Sequence, residues 1–89
     1  MDRVIEDIQT ALDILGVPTL STKEDIKKQY HFLAKKYHPD MDGDPEKMEE
    51  INSAYKILTL YIDQFRYSFS EEEISRQFPG ADYAKRFRF

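Results

Sequence analysis

Cysteine is absent from the 89-residue chain. That removes disulfides, thiolate zinc sites and cysteine nucleophiles together. A reducing compartment therefore suits the chain. Long apolar runs are missing as well, and none approaches the roughly 20 residues of a membrane span. The opening Met1-Asp2-Arg3 is polar and charged, unlike a signal peptide. Together these absences give the cytoplasm as the expected location. Histidine is scarce, with only His31 and His38. They stand seven apart, not at the i, i+4 spacing of a helical zinc pair. A serine or threonine nucleophile would have to borrow one of them, and nothing marks an oxyanion site. No catalytic residue, metal or cofactor is expected. Repeats, low-complexity tracts and convincing strands are also missing. The length suits one small domain, which buries only roughly 60–65% of its unfolded surface.

What remains is helical periodicity. Val4, Ile5, Ile8, Leu12 and Leu15 recur at helical spacing over residues 3–15, and Gly16 is placed to stop that helix. A second helix is expected after Thr22, which with Asp25 forms a capping box; Ser21 and Glu24 offer the same pattern one residue earlier. Ile26, Tyr30, Leu33, Ala34 and Tyr37 share its buried face. Pro39 disfavours helical geometry at His38, so this helix ends at Tyr37 or His38. Residues 38–44 read as a loop, with Asp44 as the next N-cap and Pro45 at the first helical position. The third helix begins at Pro45 and reaches Tyr61 or beyond, with Met48, Ile51, Ala54, Tyr55, Leu58 and Ile62 as its stripe. No breaker separates Leu58 from Tyr67. Near the C-terminus Ser70 and Glu73 suit another capping box, with Phe69 placed to staple onto Ile74. That helix ends near Phe78, before Pro79-Gly80, and Ala81 to Phe89 suit a last short helix.

Asp40, Asp42 and Asp44 alternate beside Gly43, as in a calcium loop. The sixth and twelfth loop positions are Pro45 and Ile51, where such a loop needs glycine and a bidentate glutamate. A solvated turn ending in a helix cap is the expected reading. The net charge is −4, which argues against a general nucleic-acid binder. Its distribution is uneven. Residues 21–38 hold five lysines against two acids, and residues 39–53 hold six acids against one lysine. A basic helix face beside an acidic loop would steer an acidic partner surface.

Three blocks stand in register with one family. Ile26-Lys27-Lys28-Gln29-Tyr30, then Leu33-Ala34, then Lys36-Tyr37-His38-Pro39-Asp40 resemble the J-domain of DnaJ-type co-chaperones. Asp13-Ile14-Leu15-Gly16-Val17 is similar to the family's first-helix end, and Ile51-Asn52-Ser53-Ala54-Tyr55-Lys56-Ile57-Leu58 to its third-helix signature. The resemblance covers residues 5–62. It implies an all-α fold: an antiparallel hairpin of the second and third helices, with the first packed across it and short C-terminal helices after it. It also implies docking on a DnaK-type (heat-shock 70) chaperone and stimulation of that partner's ATP hydrolysis. The implied partner-binding residues are His38, Pro39 and Asp40, with Lys27, Lys28 and Lys35, and with Tyr30 and His31 beside them. Asp40 suits an arginine of the partner. His38 either caps the helix end or touches the partner. Tyr30 is read chiefly as core, at the border of the binding face.

Departures from the family are also visible. His31 and Phe32 stand where the family carries basic residues, which weakens the mid-helix charge. The usual fourth-helix pattern is missing. Tyr67 to Ile74 resembles an extension of some small bacterial J-domain proteins. The 89 residues contain no Gly/Phe-rich linker, zinc-binding cysteine repeat or substrate-binding β domain. The expected organisation is therefore a J-domain over residues 1–67 and a helical extension over 68–89 packed on it. Phe78, Tyr83, Phe87 and Phe89 would supply that packing, or else form a client-binding patch. A monomer is expected.

Overall fold

A computed structural model describes residues 1–77, apart from the side chain of Met41. Four α-helices and no strand occur among the described residues: α1 (Asp2–Leu15), α2 (Lys23–Tyr37), α3 (Pro45–Asp63) and α4 (Glu71–Gln77). A short 3-10 helix, Pro39–Met41, lies between α2 and α3.

Local sequence sets most of the boundaries. Gly16 adopts a left-handed conformation at φ 71°, and its N–H bonds the carbonyls of Leu12 and Asp13. Glycine takes that conformation without a Cβ penalty, so α1 stops there. Thr22 Oγ1 accepts the Asp25 amide at 3.0 Å while Asp25 Oδ2 accepts the Thr22 amide at 3.1 Å. The Thr22 backbone N–H, and after it the Thr22 hydroxyl, stabilise the ionised Asp25 carboxyl and hold it below its ordinary value. The competing start at Ser21 fails because Ser21 Oγ donates to the Pro18 carbonyl at 2.6 Å. Asp44 Oδ1 accepts the amides of Glu46 and Lys47 at 3.0 and 3.4 Å, and Pro45 opens α3. Only part of the α4 start is as expected. Ser70 Oγ accepts the Glu73 amide at 3.2 Å, but the Glu73 carboxylate turns to Arg76 at 3.1 Å instead of closing the box. Phe69 stays 82% exposed.

α3 is the central element and packs on both α1 and α2. Leu15 and Ile51 are fully buried at the centre, with Ala11, Ile26, Met48, Ala54 and Leu58 around them. Truncating a fully buried aliphatic of this kind costs about 2–5 kcal/mol. The expected α1 stripe is correct from Ile8 onward, but Val4 and Ile5 are exposed. Those two residues are 54% and 47% exposed, outside the core cluster.

α2 and α3 run antiparallel, as their pairings show. Lys23 Nζ meets Asp63 Oδ1 at 2.9 Å, Tyr30 meets Asn52 and Tyr55 midway, and Tyr37 meets Lys47 at the loop end. Lys23 sits at the N-terminus of its helix and Asp63 at the C-terminus of its own, each at the end its charge disfavours. Their pairing offsets both, and the hydrogen bond to Asp63 raises the Lys23 pKa. α3 ends at Asp63 without a breaker: Gln64 leaves helical geometry, and Phe65 N–H bonds the Ile62 carbonyl at 3.2 Å. Tyr61, Phe65 and Tyr67 then stack edge to face, with centroids 5.9 and 5.6 Å apart. α4 buries no residue. The aromatic positions Phe78, Tyr83, Phe87 and Phe89 lie outside the described residues.

Candidate partner-docking site

The loop between α2 and α3 is built from backbone constraints. Pro39 has no N–H to donate and forces His38 out of the helix, where it sits extended at φ −63° and ψ 132°. Pro39 then opens the 3-10 helix, which closes through the Asp42 N–H to the Pro39 carbonyl at 3.2 Å. Asp42 adopts φ 60°, a left-handed conformation that aspartate tolerates better than most residues. The chain then folds back, and Gly43 N–H bonds the His38 carbonyl at 3.0 Å. A Cβ at Gly43 would overlap the Tyr37 carbonyl group and crowd the His38 oxygen. Only glycine permits that approach.

His38 has a defined local task. Its Nδ1 accepts the Asp40 amide at 3.2 Å, so it caps the 3-10 helix and not the end of α2. An accepting Nδ1 carries no proton, which leaves the proton of the neutral ring on Nε2. The same nitrogen lies 3.6 Å from Asp40 Oδ2. The Asp40 side chain is 89% exposed and faces solvent on this braced turn. The geometry thus presents one carboxylate on a loop whose backbone is held by three hydrogen bonds.

The preceding helix presents Lys27, Lys28, His31 and Lys35 on its exposed side. Phe32 is 61% exposed among them. Lys36 is drawn aside, with Nζ 5.4 Å from the centroid of the Tyr37 ring, and Lys47 approaches the same ring at 6.0 Å. Tyr30 is half-buried. Its ring stacks on Tyr55 at 4.1 Å and its hydroxyl donates to Asn52 Oδ1 at 2.7 Å. It therefore links α2 to α3 beside the lysine face, with His31 5.7 Å from its ring.

Three supporting residues escaped the sequence reading. Asn52 and Lys47 act across the hairpin, and no periodicity marks a cross-helix partner. Gly43 reads as an ordinary turn glycine until the return of the chain onto Tyr37 is seen. The alternating aspartates also separate in role, since Asp44 is occupied with the α3 amides. No group of three or more metal-ligating side chains occurs among the described residues. No helix among them is long and apolar enough to cross a membrane.

Known proteins share this arrangement at the level of sequence. The DnaJ domain model matches residues 10–68. A chaperone protein dnaJ A6 of Oryza sativa subsp. japonica is 49% identical over 47 residues, covering 53% of this chain and 11% of that protein. A chaperone protein DnaJ of Crocosphaera subtropica is 47% identical over 58 residues, covering 62% and 15%. One of Bacillus cytotoxicus is 37% identical over 81 residues, covering 86% and 22%. The chain thus spans between about a tenth and about a fifth of the length of these relatives. No solved structure matches it. With its three packed helices and its braced His38-Pro39-Asp40 turn, the chain belongs to the DnaJ-domain family.

Proposed function

We propose that this protein is a co-chaperone that docks on a DnaK-type (heat-shock 70) ATPase through His38-Pro39-Asp40 and the lysine face of α2, and stimulates its ATP hydrolysis. The observation that carries the reading is the exposed Asp40 carboxylate on a turn fixed by Pro39, Gly43 and the His38 cap. A carboxylate presented in this way accepts paired hydrogen bonds from an arginine. A loop already ordered before binding loses less entropy on docking. Lys27, Lys28 and Lys35 supply the steering charge toward an acidic partner surface, an effect that weakens with salt. Tyr30 and His31 border that face. Because His31 and Phe32 dilute its charge, the tripeptide supplies most of the specificity.

The protein contributes no catalytic group in this scheme. It acts by binding one conformation of the ATPase more tightly than another, since a partner shifts an equilibrium only through differential affinity. The reading includes a monomer acting in the cytoplasm, with client contact confined to the C-terminal extension.

A binding titration against a DnaK-type chaperone tests the docking. Asp40→Asn keeps the side-chain shape and removes the charge, so affinity is expected to fall by about tenfold or more, equivalent to about 1.4 kcal/mol. Equal affinity for wild type and variant would remove the proposal.

A further inference from the structure

His38 Nδ1 faces two groups of the same residue. It accepts the Asp40 amide at 3.2 Å, and it lies 3.6 Å from Asp40 Oδ2. The two contacts need opposite protonation states. Only a bare nitrogen accepts the amide, and only an N–H donates to the carboxylate. Both side chains are open to solvent, the histidine 51% and the aspartate 89% exposed. Protons therefore reach the ring, and the carboxylate can turn without displacing packed neighbours.

The other charges around the turn are engaged elsewhere or point to solvent. Asp44 Oδ1 takes the α3 amides of Glu46 and Lys47. Lys36 of α2 and Lys47 of α3 lean over the Tyr37 ring. Lys35 and Asp42 are exposed. Among the described residues, no carboxylate but that of Asp40 pairs with the imidazole. Two of the three braces of the turn do not involve the ring: Asp42 N–H to the Pro39 carbonyl, and Gly43 N–H to the His38 carbonyl. The turn thus stays closed in either state of the ring.

We propose that His38 is a proton-operated switch on the Asp40 carboxylate. The neutral ring caps the Asp40 amide and leaves the carboxylate free for a partner; the protonated ring releases the amide and draws the carboxylate onto its own Nδ1–H. The carboxylate has to close by about 0.8 Å to reach the usual charge-assisted distance of about 2.8 Å. Imidazoles ordinarily titrate near about pH 6.5 and aspartates near about 3.9, so both charges coexist between those values. The pair is exposed, hence weak and screened by salt, and the change is graded. Its effect on docking rests on the proposed ATPase contact, whereas the switch itself is a property of the free chain.

The test uses the full, isotope-labelled chain carrying His31→Gln, so that one imidazole remains. At about pH 8 the ring nitrogen signals are expected to show a bare Nδ1 and a protonated Nε2. On acidification to about pH 5.5, across the ordinary imidazole range, the Asp40 amide and carboxyl signals are expected to move with the midpoint of the ring. In His38→Asn/His31→Gln the amide Oδ1 takes the place of Nδ1 and accepts at every pH, so both signals are expected to stay flat. A proton on Nδ1 at the higher pH overturns the switch. So does an Asp40 carboxyl signal that ignores the ring, or movement that persists with asparagine. Titrated with a DnaK-type ATPase, the His31→Gln chain is expected to bind about threefold more weakly at the lower pH. Equal or tighter binding there, with the nuclear signals moving as expected, overturns the effect on docking alone.

Discussion

The two ends of the α2–α3 hairpin are held together by different means. At the loop end the backbone does the holding: Gly43 N–H bonds His38, Asp42 N–H bonds Pro39, and His38 Nδ1 takes the Asp40 amide, all at 3.0–3.2 Å. At the other end Ile26 and Leu58 join the shared core, and the polar tie between α2 and α3 among the described residues is one exposed ion pair, Lys23–Asp63, beside the exposed rings of Tyr61, Phe65 and Tyr67. Backbone bonds fix a loop in one conformation, whereas a surface ion pair restrains long side chains weakly and is screened by salt. The proposed recognition element thus sits where the backbone is already ordered. The loop end offers a single carboxylate in a defined position, and the opposite end offers surface without such definition.

The comparison breaks most severely at the residue both ends share. Ile51 is fully buried midway along α3. Ile51→Ala is expected to cost about 2–5 kcal/mol by denaturant titration, with both ends losing hydrogen-exchange protection together. Loss at one end alone would show that the hairpin is not one cooperative unit. Next in size is Gly43→Ala, whose new methyl group meets the Tyr37 backbone. Relieving that overlap is expected to cost about 1–3 kcal/mol. Exchange should rise chiefly in residues 38–44, and an unchanged midpoint would contradict the close approach. Tyr30→Phe keeps the stack on Tyr55 and removes the hydroxyl bond to Asn52. About 0.5–1.5 kcal/mol is the expected loss.

The smallest effects belong to the end away from the loop and follow from pH. The Asp25 carboxyl is held low by its bonds to Thr22, so the folded state binds fewer protons there than the unfolded chain. Its contribution is present above the ordinary aspartate value of 3.8 and is lost as pH falls through the folded value. Lys23 has the opposite sign: its raised pKa contributes below the ordinary 10.5 and is lost as pH climbs through the folded value. Asp25→Asn should flatten the acid limb of a stability–pH profile, and Lys23→Ala the alkaline limb. A profile unchanged by both substitutions would contradict the assignment.

Much of this structure was legible in the sequence because the signals were local. Thr22, Asp44, Pro45 and Gly16 act on amides and carbonyls within a few residues, and the buried faces of α2 and α3 obey helical spacing. The first turn of α1 was misleading for the same reason: Val4 and Ile5 satisfy the period, yet both stay about half exposed and outside the core cluster. The end of α3 had no sequence signal: no glycine or proline stands near Asp63 and Gln64, where the chain leaves helical geometry, and Phe65 and Tyr67 stack after it. At the site, the exposed Asp40 and the lysine face were readable. The His38 cap, the Gly43 contact and the Tyr30–Asn52 bond were not, because each depends on the path of the chain in three dimensions.

Single-turnover ATP hydrolysis by a DnaK-type chaperone, with wild type, Asp40→Asn and Asp63→Asn compared at equal concentration, tests the contrast between the two ends most directly. Stimulation should be lost in Asp40→Asn, at the ordered loop, and kept in Asp63→Asn, at the ion-paired end. Equal stimulation by all three proteins, or a loss confined to Asp63→Asn, would contradict it.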